Sequence, residues 1–278
     1  MKFAYKEDYT NINIEEIEKM LNSDEDAYAV YIVRSHMSKE DTVAIKKKFE
    51  DIIENTKGGY RKDFVPVHQI GATQFNKTTE AFFQECLETR SSVGELIEVL
   101  ECSANKKDFL LEDSFKAYFS EKNIRFRPSK FEGNTVNQFT ARKWQNKDNS
   151  SLVLLPHEDF SQLNQAKKDN YEIKDVHKVI ACNLCISNDH NGELVIWDFE
   201  PSLEFKKSLG IEDLGYPYPL NGTLTKAKKI EININKGDLY FINANLVHAV
   251  KEINVNCDRI SLGRFIGVCG ENDIVYWT

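Results

Sequence analysis

Two histidines and one aspartate carry the chemistry legible in this chain. His157 and Asp159 form a His-x-Asp pair, and His248 follows far downstream. Beyond it stands an Arg-x-Ser pair, Arg259 and Ser261. Two imidazoles and one carboxylate on a rigid scaffold fill three positions of an octahedral metal ion and leave three open. The arginine suggests what takes two of the open positions. It suits a keto acid whose far carboxylate needs a cationic partner, because a planar guanidinium binds carboxylate through two parallel hydrogen bonds.

These residues need strands to position them. A spacing of two on a strand, or at its frayed end, puts His157 and Asp159 on one face. Pro156 before them removes a ladder donor, as expected where a strand ends. His248 lies in LVHAV after a turn at Asn243–Asn245, and Gly237–Asp238 opens the strand before that turn. His248 must therefore arrive on a distant strand that folds back beside the first pair. Arg259 and Ser261 share one strand face, continued by Gly263 and Phe265, while Arg264 takes the other face by parity. The Ser261 hydroxyl can add a hydrogen bond to a carboxylate held by Arg259. A lone histidine is more often a core or surface residue than a ligand, and the weight here comes from the ordered set. His36, His68, His177 and His190 lack such context and read as structural or exposed.

The rest of the chain supplies the scaffold. At 278 residues, 41% hydrophobic and 29% charged, it is globular and long enough to bury a substantial core. The N-terminal half reads as helices around one strand. Residues Ile14 to Leu21 have helical periodicity, and Ala27 to Ser35 is rich in β-branched and aromatic residues. Ser38 and Asp41 form a capping-box pattern ahead of VAIKKKFEDIIEN. Thr78 to Leu100 and Glu112 to Phe119 are further helices. From Thr135 the texture changes to short strands: TVNQFTARKW, VIACNLCIS, ELVIWDF, KIEINI, DLYFIN, LVHAV and RISLGRFIGV. Many short strands separated by turn residues indicate a sandwich or barrel. The expected architecture is mainly β with α additions in one domain, 1–278. A helix-rich part, 1–133, packs on a strand-rich core, 134–268. The segment 201–229, containing GYPYPLNG, is an insertion expected to act as a lid or substrate-binding segment.

Composition narrows the partners. With 36 Lys plus Arg against 44 Asp plus Glu, the net charge is −8, which gives no electrostatic reason to bind nucleic acid or an anionic membrane. The first residues lack the apolar stretch of a signal peptide, and no apolar run has the length of a membrane span. A cytoplasmic protein acting on a small molecule is expected, and the oligomeric state is left open. Six cysteines show no disulfide-framework spacing. Cys182 and Cys185, three apart on a strand, fall on opposite faces and read as buried thiols, not as a zinc pair.

PHEDF, GDLYFINANLVHAV and DRISLGRFIG together resemble the Fe(II)/2-oxoglutarate-dependent oxygenase superfamily, over residues 134–268. The resemblance implies a double-stranded β-helix, the jelly-roll or cupin-like core. It implies that His157, Asp159 and His248 hold Fe(II). Arg259 and Ser261 would hold the distal carboxylate of 2-oxoglutarate, and dioxygen would be the second co-substrate. The implied reaction hydroxylates an unactivated C–H bond of a small molecule, a free amino acid or a natural-product intermediate, with release of succinate and carbon dioxide. TVNQFTARKW, NGELVIWDF and GYPYPL look like the freestanding, carrier-independent alkaloid halogenases and their hydroxylase relatives. Those halogenases have Gly or Ala where this chain has Asp159, which frees a position for halide. Hydroxylation is therefore expected over halogenation. Desaturation and cyclisation share the same first steps and stay open. A metal-binding cupin-like protein without oxygenase activity would need the three ligands but not Arg259 and Ser261. In similar enzymes the strand before the triad often contributes a polar group near the co-substrate, and Asn137 is the candidate. Trp144, Phe160, Trp197 and Arg142 are candidates to line the substrate pocket.

Overall fold

The structure is a computed structural model that describes residues 1–9, 12–56, 61, 65, 67–102, 108–144, 151–188, 191–254 and 257–278. Its N-terminal half runs β1 (Lys2–Asp8), α1 (Ile14–Asn22), β2 (Tyr28–Val33), α2 (Lys39–Thr56), β3 (Val67–Ile70), α3 (Thr79–Cys102), α4 (Glu112–Ser120), β4 (Arg125–Pro128), β5 (Lys130–Phe131) and β6 (Asn134–Thr135). The second half runs β7 (Thr140–Trp144), β8 (Leu152–His157), α5 (Leu163–Lys168), β9 (Ile180–Asn188), β10 (Leu194–Trp197), α6 (Leu203–Leu209), α7 (Thr223–Lys226), β11 (Lys229–Ile232), β12 (Leu239–Asn243), β13 (His248–Lys251), β14 (Arg259–Val268) and β15 (Asp273–Trp277).

Helices α1 and α2 start where capping chemistry places them. Asn13 accepts from the Glu15 amide at the head of α1. Ser38 Oγ accepts the Asp41 amide and donates to the Asp41 carboxylate at the head of α2, so the expected capping pair is formed.

Two sheets carry the core. The small sheet has the order β11-β10-β13-β8, and the large one contains β12-β9-β14, with β7 also bonded to β14. From β7 to β10 the chain changes sheet at every step, and it does so again from β11 to β14. Strands far apart in sequence thereby become neighbours, which is what the site requires. Helices α2, α3 and α4 contribute Phe49, Phe82 and Phe115 to the same apolar cluster as Ile180, Leu184 and Leu262 of the large sheet.

The N-terminal half is less helical than expected. It holds β1, β3 and β4 besides β2, and they widen the large sheet at its edges. There β1 pairs with β2, β2 with β12, β3 with β7, and β4 with β15. These strands escape a pattern search because they are short edge strands, and β1 has partly exposed residues on both faces. The stretch expected as one strand from Thr135 to Trp144 is broken, with residues 136–139 outside the sheet. Gly71 (φ +93°) lies close against this break, where a Cβ would stand 2.9 Å from the Phe139 carbonyl oxygen. The ten residues of β14 run as expected. Their first half bonds to β7, and their second half to the unforeseen β15.

Within 201–229, Phe205, Tyr218 and Leu224 pack on Val195, Trp197 and Val247, covering the outer face of the small sheet. Among the described residues no helix is long and apolar enough to cross a membrane.

Candidate metal centre

Strand β8 ends at His157 and β13 begins at His248, and the two are direct antiparallel partners. This pairing brings the imidazole centroids to 4.1 Å. Asp159 sits two residues past His157, where its amide donates to the Ala244 carbonyl at 2.8 Å. Its Oδ2 lies 3.3 Å from His248 Nε2. One ligand atom from each of the three lies within 4.8 Å of the other two, a group able to hold a metal ion.

The surrounding bonds orient all three side chains. His157 Nδ1 is 2.9 Å from the Leu155 carbonyl oxygen, and His248 Nδ1 is 2.9 Å from that of Leu246. A carbonyl only accepts, so each Nδ1 carries the proton and each Nε2 keeps its lone pair for a metal. Gln162 Nε2 donates to Asp159 Oδ1 at 2.9 Å, which leaves Oδ2 available to a metal. Burial, and then the charge of His248, push the His157 pKa down to about 4. Burial works against a charged His248 as well, but the Asp159 carboxylate outweighs it and raises that pKa. Loss of hydration works against the Asp159 carboxylate too, which is only partly buried, yet its bond to His248 and the charges of His157 and His248 hold its carboxyl below the usual range.

The residue between His157 and Asp159 faces the other way. Glu158 is buried, with Oε1 2.8 Å from Lys206 Nζ on α6. Its Oε2 accepts the Ser161 amide at 3.0 Å, and Tyr218 donates its hydroxyl to Oε1 at 3.3 Å. Gly215 packs against this carboxylate, where a Cβ would fall 2.4 Å from Oε1. The insertion is thus bolted to the turn that carries Asp159.

Two cavity lobes meet at the triad. Arg259, Ser261 and Tyr240 line one of them. Arg259 and Ser261 share a face as strand parity requires. Arg264 also borders this lobe, but its guanidinium turns toward α4, donating to the Leu110 carbonyl and lying over the Tyr276 ring. Arg259 is 3% exposed. Its Nη2 donates to the Tyr240 hydroxyl at 3.2 Å, and its Nε has no partner. Among the described residues no carboxylate pairs with it. A buried cation without a counter-charge costs several kcal/mol, roughly, unless an anion joins it. Thr73, Phe75, Gln162 and Tyr216 line the other lobe, with the Arg61 guanidinium stacked on the Phe75 ring at 5.4 Å. Tyr216 comes from the insertion and stands edge-on to both Phe75 and His157.

Of the residues expected to contact co-substrate or substrate, Arg142 and Trp144 line both lobes. Three others lie elsewhere. Asn137 donates to Thr89 Oγ1 on α3 at 2.9 Å and is absent from both lobes, because residues 136–139 leave the sheet toward that helix. The Phe160 ring lies 5.4 Å from Lys206 Nζ, in a separate hollow on the far side of the Asp159 turn. Trp197 faces the insertion: Ile196 pairs with His248, so the next residue of β10 points to the opposite face. His36, His68 and His177 are outside the cluster, and His190 lies outside the described residues. Cys182 sits beside Arg264 and Cys185 beside Tyr240 and Arg259, on opposite faces of β9.

A metal-binding triad open on one side, next to a buried arginine lacking an anion, is the equipment of a dioxygenase that works with Fe(II), 2-oxoglutarate and dioxygen. Known proteins agree with that class. The family described as "Carrier-protein-independent halogenase WelO5" matches residues 6–278, and the chain belongs to it. The chain is 33% identical over 262 residues to the L-isoleucine 3(1)-dioxygenase of Pantoea ananatis (strain AJ13355), covering 93% of this chain and 86% of that protein. Its fold is similar to the crystal structure of an N-substituted L-amino acid dioxygenase from Burkholderia ambifaria AMMD in complex with alpha-KG. There the TM-score is 0.55 at 15% identity, over 96% of this chain and 92% of that one.

Proposed function

We propose that this enzyme hydroxylates an unactivated C–H bond of a free amino acid with an apolar side chain. One oxygen atom of dioxygen enters the product, and the other enters succinate as 2-oxoglutarate loses carbon dioxide. The observation that carries the reading is Asp159. Its carboxylate stands 3.3 Å from His248 Nε2 and occupies the third protein position of the triad, where a halogenase keeps Gly or Ala. With that position filled, halide has no place to bind, and hydroxylation is the outcome. The 33% identity to an L-isoleucine dioxygenase supports a free amino acid as substrate.

The residues fit the cofactor. His157 and His248 would each offer Nε2, and Asp159 one oxygen, the donor set suited to non-haem Fe(II). The partnerless Nε of Arg259 suits the distal carboxylate of 2-oxoglutarate, with the Ser261 hydroxyl beside it. When bound, iron with 2-oxoglutarate and dioxygen supplies the oxidising power that breaks the C–H bond. The chain's own part is placement and exclusion of water. Leu155 and Leu246 carbonyls fix the imidazole tautomers, Gln162 orients Asp159, and Tyr216 and Trp144 close the walls around the reacting carbon.

The sheet-switching order of β7 to β14 supports a double-stranded β-helix, or jelly roll, as the core. The apolar cluster shared between α2–α4 and the core strands supports one domain, 1–278, and the insertion 201–229, fastened to the turn beside the site, lends it Tyr216 as a wall. The composition supports a cytoplasmic location. The test is succinate release from 2-oxoglutarate under air with Fe(II) and single amino acids. Stimulation by aliphatic L-amino acids supports the reading, and release that no amino acid changes overturns the substrate class.

A further inference from the structure

Gln162 is 6% exposed and lines the lobe that also holds His157, Asp159 and Arg142. The orientation of its amide is fixed by chemistry. Asp159 Oδ1 accepts a hydrogen bond at 2.9 Å, so the NH2 group must face it. The amide oxygen is then turned away from Asp159, and this buried Oε1 has no partner among the described residues. A buried acceptor left unpaired costs about 1–3 kcal/mol, so the position calls for a donor.

We infer that Gln162 Oε1 accepts the ammonium group of the substrate amino acid. This deepens the function proposed above and rests on it. Three features favour a cationic donor. The NH2 group is bound to a carboxylate, which polarises the amide and strengthens its oxygen as an acceptor. A hydrogen bond from a charged donor such as an ammonium is also about twice as strong as a neutral one. Arg142, which donates to Thr73 at 3.3 Å, lines the same lobe and supplies a cation for the substrate's carboxylate. An amide acceptor and a guanidinium in one lobe match the two ends of a zwitterion. Trp144, Leu154, Phe265 and Tyr216 leave an apolar lining for its side chain. Gln162 would thus tie the position of the amine to the metal ligand, fixing the distance from the α-carbon to the iron.

The test compares L-isoleucine with 3-methylpentanoate, which lacks the amine, as stimulants of succinate release by the iron-loaded enzyme and by Gln162→Met. Expected is a strong preference of the native enzyme for the amine, compressed roughly 10- to 100-fold in Gln162→Met. Using the ratio removes any general loss from a weakened Asp159, because such a loss lowers both compounds alike. Iron affinity, measured in parallel without oxygen, reports the state of the triad. Equal losses for both compounds, or an unchanged ratio, overturn the role of Gln162 and leave the function standing. Failure of L-isoleucine and every other amino acid to stimulate the native enzyme overturns the function and this inference with it.

Discussion

Glu158 and Lys206 form a buried ion pair at 2.8 Å, joining the turn between the metal-ligand candidates His157 and Asp159 to helix α6 of the insertion. Side-chain exposure is 0% for Glu158 and 7% for Lys206, so neither charge is hydrated in compensation. Removing one partner strands the other. Lys206→Met is expected to destabilise the metal-free protein by about 3–5 kcal/mol, measured by urea unfolding. Glu158→Gln combined with Lys206→Met should recover much of that loss. A double variant as unstable as the single would contradict the pairing.

Among the described residues Arg259 makes one hydrogen bond, to Tyr240, and its Nε has none. Arg259→Gln should therefore raise the KM for 2-oxoglutarate by roughly 10- to 100-fold, the worth of a charge-assisted bond. Arg259→Lys should recover little, because an ammonium cannot reproduce a planar fork. Iron binding, followed separately, should be unchanged in both variants. An unaltered KM in Arg259→Gln would place the co-substrate elsewhere.

Metal binding should depend on pH through His248. Burial and the neighbouring His248 hold His157 down to about 4, so His157 is neutral at pH 7 and surrenders no proton to a metal. His248 is raised by Asp159 against the effect of burial, and its proton competes with the ion. The sign follows: affinity falls as pH drops through the His248 titration, and binding at or below that range releases up to about one proton. Titrations with Co(II) at about pH 6 and about pH 8 check this, with weaker binding expected at the lower value. Equal affinity at both would contradict it.

The triad was legible because its order and flanks reflect strand mechanics. His157 and Asp159 are two apart, and Arg259 and Ser261 share the alternation of β14, which local sequence displays. Trp197 was misjudged because its face depends on Ile196 pairing with His248, a register between strands remote in sequence. Gln162, Tyr216 and Thr73 reach the cavity from a turn and loops without periodicity, so nothing local marks them. Asn137 shows the converse, a residue assigned by strand alternation where the chain has already left the sheet. Gly237 and Asp238, which open the strand before the turn to His248, have a mechanical task. Asp238 accepts the Ser35 amide at 3.0 Å and pairs with Arg34 at the end of β2, while Gly237 has room for the Met37 carbonyl where a Cβ would intrude to 2.3 Å.

Tyr216 stands edge-on to Phe75 at 5.9 Å and forms one wall of the lobe proposed to take the substrate. Tyr216→Ala should widen the lobe toward bulkier side chains. Succinate release with L-phenylalanine should rise relative to L-isoleucine, by roughly tenfold if the lost wall is worth about 1–3 kcal/mol. A ratio that does not change would mean that another element sets substrate size.

The most direct measurement runs the enzyme with Fe(II), 2-oxoglutarate and L-isoleucine under isotopically labelled dioxygen, in chloride-containing buffer, and analyses both products by mass spectrometry. Expected is a labelled hydroxyl on the amino acid together with one labelled oxygen in succinate, and no chlorinated product. Chlorinated amino acid, or succinate formed while the amino acid is recovered unchanged, would contradict the assignment of Asp159 as the third ligand of an amino acid hydroxylase.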